Sequence, residues 1–248
     1  MSHEFVTCIE SRLEEAVEEL PPLRIKDLPL FKTCNVDALY QVIQGMIRET
    51  KASSGLVLNS FEQQEQLSMS KLREDFPIPI FPIGPFHSHF PASSSSLMPA
   101  LIHGSEWIEW LPSEFFETVN GRGHIVKWAP QQQVLKHPAV GAFWTHNRWN
   151  STLESICEGV PMICMPCFGD QMVNARYVSH VWKVGVQLEN GLKRMNIENA
   201  IRRLMEEEEG KQIKERMLEL KEKANSCLKP GGSSYESLRS LTSYISSF

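Results

Sequence analysis

Trp128 to Gln171 reads WAPQQQVLKHPAVGAFWTHNRWNSTLESICEGVPMICMPCFGDQ, and the alternation of strand and helix signals along it decides the fold. Val140 to His146 and Val160 to Pro166 are short apolar runs of strand length, and a helix opens between them near Asn150-Ser151. Strand, helix and strand in that order make a βαβ unit, which demands a parallel sheet with helices on its faces. Gly123 to Lys127 and Val184 to Leu188 supply two further strands of the same kind. Three helices are predicted beyond them, at Asn196 to Glu209, Lys211 to Cys227 and Ser233 to Ser246, with Gly231-Gly232 as the break before the last. The predicted class is α/β with a Rossmann-like sheet.

Upstream, Asn35 to Lys51 is patterned as an amphipathic helix, Ser54 to Phe61 as a buried strand and Glu62 to Glu74 as a polar helix. Pro77 to Pro85 carries too much proline for a central strand and reads as an edge segment that runs into a Ser-rich stretch at Ser93 to Ser96. These shifts divide the chain into residues 1–90, a linker at 91–103 and a C-terminal unit at 104–248. No internal repeat interrupts this order.

Composition narrows the function classes. The 248 residues are 42% hydrophobic, enough to bury a core as one large or two small domains. A net charge of -5 argues against nucleic acid, whose backbone requires clustered Lys and Arg. The run Glu206 to Glu209 is expected as a solvated helix end. No apolar stretch of membrane-spanning length occurs, and the N-terminal MSHEFVTCIESRLEEAVEEL has the acids of a soluble chain rather than an apolar signal, so a cytoplasmic protein is expected. The six cysteines show no paired metal spacing, and Cys164-Met-Pro-Cys167 ends a strand instead of opening a helix, which disfavours a redox or zinc role. His87-Ser-His89 lacks a third ligand, and no metal is expected there.

Ligands of parallel α/β sheets bind beyond the carboxyl ends of the strands. His146 ends a strand and faces the start of a helix, whose free N–H groups and positive dipole end suit a pyrophosphate. Ser151-Thr-Leu-Glu154 fits that helix start in two ways, since it has the form of a capping box as well as a set of ligand contacts. Trp128 follows a strand, where an indole either packs in the core or stacks on a flat base. Asp170, at another helix start, serves equally as a cap. Trp144, Trp149, His137 and His180 are read as packing or structural residues.

Taken together, Trp128-Ala-Pro-Gln131, His146, Trp149-Asn-Ser-Thr-Leu-Glu154 and Gly169-Asp-Gln171 resemble the C-terminal signature of the plant secondary-product UDP-glycosyltransferases. The likeness extends from about Val6 to the linker and from Gly104 to Phe248. It implies a GT-B fold of two facing Rossmann-like domains, of which this chain holds the end of the acceptor-binding N-terminal one and most of the donor-binding C-terminal one. The resemblance implies that Trp128 stacks on uracil, that Gln131 lies near base and ribose and that Glu154 holds the ribose hydroxyls. It places His146, Asn150 and Ser151 by the phosphates and Asp170 and Gln171 at the sugar. The donor is then a UDP-sugar such as UDP-glucose, the acceptor a small plant metabolite, and no cofactor is needed.

The departures from the family pattern are as informative. The family's base is a His near its chain start, oriented by an Asp, and His3 lacks that strand context. No catalytic residue is therefore assigned. A strand, a Ser-rich loop and a helix are missing between the linker and Gly104, which should leave an unpaired sheet edge. Arg148 stands where the family has Gly, and a left-handed conformation there would strain it by about 1–2 kcal/mol. Its bulk is expected to impair donor binding, although a guanidinium also pairs well with phosphate. Two functions follow: a UDP-sugar-dependent transferase, or a catalytically silent remnant, either a donor-binding fragment or an interaction module that pairs with an intact relative.

Overall fold

The computed structural model describes residues 12–29, 36–89, 113–119, 121–126, 128–189 and 191–248. The linker expected at 91–103, the start of the chain with His3, and Lys127 lie outside the described residues.

The C-terminal unit is a parallel sheet of order β3-β4-β5, made by β3 (Phe143–Thr145), β4 (Met162–Cys164) and β5 (Gly185–Gln187). Phe143 is in register with Met162, and Met162 with Gly185. The crossover from β3 to β4 is α6 (Trp149–Glu158), and that from β4 to β5 is α7 (Asp170–Arg176) followed by a π-helical turn at Tyr177–Val181. Alternate residues of a strand face opposite sides of its sheet, and β4 is apolar on both. Met162 and Cys164 pack with Leu153 and Ile156 of α6 and with Met217 and Ala224, whereas Ile163 joins Val186, Ala200, Leu204 and Ile213. A parallel strand covered on both faces reads as a continuous hydrophobic run for this reason. Ala200 and Leu204 belong to α8 (Arg194–Met205), and Met217 and Ala224 to the twenty-residue α9 (Glu208–Cys227). Gly185 permits the close approach of β5, because a Cβ there would lie 2.4 Å from the Met162 carbonyl oxygen.

The upstream half contributes α1 (Val36–Ala52), β1 (Leu56–Leu58), α2 (Gln66–Asp75), β2 (Ile80–Pro82) and the single turn α3 (Phe86–His89), and α4 (Ser113–Val119) opens the C-terminal unit. β1 and β2 pair in parallel. This half docks on the C-terminal unit through Phe61, fully buried in the same core as Leu153. The C-terminal helix α10 (Ser233–Ile245) lies along β2, with Ser234 Oγ donating to the Gly84 carbonyl at 2.7 Å and Tyr244 against Phe81. The face of α1 that carries Tyr40, Ile43 and Met46 is exposed, Met46 at 65%.

Several expectations are corrected. The strand expected from Gly123 to Lys127 does not form in the described residues 121–126, which pair with no strand, and a strand needs a ladder. The strands are three residues long, and β1 is much shorter than the expected Ser54 to Phe61, with Val57 exposed. The acidic run after Met205 is not one helix end: α8 stops at Met205, and Glu208 and Glu209 open α9, where carboxylates favour the helix dipole. Among the described residues no helix is long and apolar enough to cross a membrane.

Candidate functional site

The carboxyl ends of β3 and β4 and the starts of α5 (Gln131–Leu135), α6 and α7 meet on one rim of the sheet. Its centre is Glu154, in the second turn of α6. Gln131 Nε2 donates to Glu154 Oε2 at 2.6 Å and to Ser151 Oγ at 3.1 Å, and Gln132 Nε2 donates to Glu154 Oε1 at 3.2 Å. Both carboxylate oxygens are thus aimed by neutral amide donors. The geometry of the acid is thereby fixed, the arrangement a ligand bearing vicinal hydroxyls needs. Trp128, just before α5, is 56% exposed and leaves an indole face open to solvent.

This geometry removes the capping-box reading of Ser151 and Glu154. The helix starts at Trp149 with Arg148 as its N-cap residue, so Ser151 and Glu154 lie inside it and Glu154 turns to Gln131. It also removes the expected strain at Arg148, whose backbone is ordinary at φ -59° and ψ 143°. The left-handed residue is its neighbour Asn147, φ 62°, and Asn is among the few side chains that tolerate this conformation. Asn147 is fully buried, with Nδ2 directed at the Cys164 sulfur at 3.3 Å.

His146 is partly buried where β3 ends. Burial is the main cause that holds its imidazole below the usual value, the Arg148 guanidinium adds to this and the Asp170 carboxylate opposes it. The side chain is therefore largely neutral at pH 7 and presents one N–H donor. Asp170 is exposed at the start of α7, next to Gly169, whose φ of 65° and ψ of -134° suit glycine alone and set the turn that presents the acid. Gln171 is 1% exposed, and its Oε1 accepts from the backbone N–H groups of Cys167 at 2.9 Å and Phe168 at 3.3 Å. That oxygen is committed to the loop after β4.

Three positions that sequence reading passed over hold the rim together. Asn174 Nδ2 donates to the Asn147 carbonyl at 2.9 Å and to Asp170 Oδ2 at 3.1 Å, which joins the loops after β3 and β4. Asn59, after β1, donates through Nδ2 to Asn150 Oδ1 at 2.9 Å, accepts at Oδ1 from the Phe86 N–H at 2.9 Å and receives the Trp149 indole N–H on its carbonyl at 2.5 Å. The upstream half thus grips the first turn of α6. Gln132, on the same turn as Gln131, supplies the second donor to Glu154. Only the position of Asn174 four residues after Asp170 carries a signal in the sequence, since such residues share a helix face.

The family model described as UDP-glucoronosyl and UDP-glucosyl transferase matches residues 112–223, which contain the whole rim. UDP-glycosyltransferase 76B1 of Arabidopsis thaliana is 42% identical over 297 residues, 98% of this chain and 66% of that protein. The chain belongs to the UDP-glycosyltransferase family. UDP-glycosyltransferase 76G1 of Stevia rebaudiana is 42% identical over 96% of the chain and 62% of that relative. A solved UDP-glucosyltransferase from Polygonum tinctorium, described as capable of glucosylating indoxyl, superposes with a TM-score of 0.77 at 27% identity, over 97% of this chain and 67% of that one. The solved neighbours include plant UDP-glycosyltransferases of the GT-B fold. This UDP-glycosyltransferase chain spans about 66% of the length of the first relatives it matches. The 297 matched residues of the first relative also exceed the 248 of the chain, so dozens of the relative's positions have no residue opposite them.

Proposed function

We propose that the rim binds a UDP-sugar, UDP-glucose in the first instance, and that it forms the donor half of a glycosyltransferase acting on a hydroxyl of a small plant metabolite. The convergence of Gln131, Ser151 and Glu154 carries this reading, because a carboxylate held by two amides, with an exposed indole just before the helix that supplies them, suits a nucleoside: flat base on Trp128, ribose hydroxyls on Glu154. Base stacking on such a residue contributes about 1–3 kcal/mol. The diphosphate lies at the start of α6 beside His146, Asn150 and Ser151, where backbone N–H groups and the helix dipole favour negative charge. Asp170 faces the sugar from the start of α7, and the buried Gln171, expected there too, instead holds the loop after β4 that presents it.

In transfer the acceptor oxygen attacks the anomeric carbon, the bond from that carbon to the diphosphate oxygen breaks, and UDP departs with the bonding pair. The acceptor proton passes to a general base, a contribution of about two to four orders of magnitude in rate. No residue of this chain is assigned that role. The stretches of its relatives without a counterpart here favour a second reading, a donor-binding module that pairs with an intact relative.

Isothermal titration of the purified chain with UDP-glucose, after circular dichroism has established folding, tests the donor site. Saturable binding supports it, and a folded chain that takes up no uridine nucleotide overturns it. Glucosyl transfer to a phenolic acceptor by the same preparation separates the two readings: turnover supports the transferase, and binding without turnover supports the module.

A further inference from the structure

Lys183 follows the π-helical turn at Tyr177–Val181 and precedes β5, with its backbone in the left-handed region at φ 53°. Chains commonly take this conformation where a helix ends, but with glycine, and a lysine there is strained. Its carbonyl accepts from Arg216 Nε of α9 at 2.9 Å, a bond that holds the two cationic residues together. Both line a groove of about 670 Å³ beside β5, the last strand of the sheet, and a groove of that volume suits a small molecule. Two acids lie in the same groove, and both are already engaged. Glu209 meets Arg203 through both carboxylate oxygens, at 2.5 and 2.6 Å, and Glu189 is reached by Arg176 at 3.3 Å and Lys26 at 3.6 Å. Arg203 is the first cause that holds the Glu209 carboxyl below its usual range, and Arg216 the last. Lys183 and Arg216 form no ion pair among the described residues, so the groove keeps two cations in surplus.

We infer that this groove is a second ligand site, for the phosphate group of a small phosphomonoester, held by Lys183 and Arg216 and separate from the rim. A phosphomonoester is close to a dianion at neutral pH, since its second ionisation lies near pH 6, and so matches the surplus of two cations. A carboxylate carries one charge and would leave one cation uncompensated. The guanidinium of Arg216 presents a fork of donors and the ammonium of Lys183 a compact charge, and phosphate oxygens accept from both kinds. Gln187 and Gln212, also in the groove, offer amide donors and acceptors to a hydroxylated remainder. The rim stands at the carboxyl ends of β3 and β4, whereas Lys183 stands before the amino end of β5, at the opposite end of the parallel sheet. The strain at Lys183 has a use in this arrangement: glycine would relax the backbone but remove one of the two charges.

The test is calorimetric titration of the whole chain with inorganic phosphate and with a glucose phosphate ester, repeated on Lys183→Gln, Lys183→Gly and His146→Gln. Lys183→Gln keeps the carbonyl that Arg216 holds and removes only the charge of an exposed side chain. It should weaken both probes by at least about fivefold, the worth of one unit charge about 4 Å from another in water. Lys183→Gly should weaken them equally and raise the melting temperature, which separates lost charge from lost folding. His146→Gln, at the rim, should leave both affinities as they are, and the ester should bind more tightly than inorganic phosphate. Loss of phosphate binding in His146→Gln but not in Lys183→Gln would place the anion at the rim and overturn the second site. A folded wild-type chain that binds neither probe overturns it as well. A phosphoserine peptide that binds more tightly than the ester would overturn the small-molecule assignment.

Discussion

Asp27 and Arg176 form a bidentate ion pair across 149 residues of sequence, Nε to Oδ2 at 2.8 Å and Nη2 to Oδ1 at 3.1 Å, with both side chains at least 98% withdrawn from water. Arg176 ends α7, and its Nη1 also reaches Glu189 at 3.3 Å. The turn at residues 25–27 is thereby fastened to the helix whose other end carries Asp170 and Gln171.

Removal of Asp27 leaves the buried Arg176 with only its longer contact to Glu189, and stranding a buried charge in this way costs about 3–5 kcal/mol. Asp27→Ala should lower the stability by that amount in urea unfolding, and Asp27→Leu combined with Arg176→Met should recover most of it. A loss below about 1 kcal/mol in the single variant would show that the pair does not fasten the two segments.

Trp128→Ala should weaken UDP binding by about 1–3 kcal/mol through lost stacking with no change in melting temperature, because the indole is already exposed. Calorimetry and thermal unfolding of the same preparation separate the two effects. Unaltered affinity would remove Trp128 from the site.

Proton linkage at His146 has opposite signs for binding and for folding. Burial first, and Arg148 second, hold its pKa below the ordinary 6.5, whereas a bound diphosphate would raise it again. Binding of UDP-glucose, which itself does not titrate near neutrality, should therefore take up protons just below pH 6.5 and tighten as the pH falls into that interval. For folding, the unfolded chain holds the His146 proton more readily than the native one, so its contribution to stability is present above pH 6.5 and is lost as the pH falls. Calorimetry in buffers of different ionisation enthalpy measures the uptake, and His146→Gln should abolish it. Equal uptake in that variant would assign the proton elsewhere.

Cys164 and Cys157 are held in the thiol form, both pushed up to about 12 chiefly by burial, whereas Cys167 is exposed. Iodoacetamide at pH 8 should modify Cys167 in the folded chain and reach Cys157 and Cys164 only after denaturation, as read by peptide mass spectrometry. Early modification of Cys164 would contradict the packing of β4.

The sequence-based reading was strongest where one element satisfies its own pattern. The apolar run at Met162 to Cys164 announces a strand covered on both faces, and α9 and α10 carry their apolar spacing over many turns. The order of β3, α6 and β4 follows from the same periodicity, and so does the placement of His146 at a strand end and Asp170 at a helix start. What periodicity does not carry is side-chain direction across elements. Ser151 and Glu154 have the spacing of a capping box, and only the approach of Gln131 from α5 shows where the carboxylate turns. Asn59 and Asn150 meet across 91 residues, as do Asp27 and Arg176 across 149, and neither encounter leaves a local trace. At Arg148 the choice of residue raised the question of left-handed backbone, but the turn places that conformation one residue earlier, at Asn147.

The burial of β4 on both faces, beside a rim built from helix starts, sets a gradient of opening rates across the molecule. Amides in well-buried central strands exchange only in near-global opening, and those in sparsely packed segments exchange through local fluctuations. Ile163 should thus be among the last backbone positions to take up deuterium and the exposed turns of α1 among the first. The loops that carry Asn147 and Gly169 lie between these extremes, each with one end anchored in the slowest part of the chain. A ligand seated there would draw the protection of β4 outward into the starts of α6 and α7.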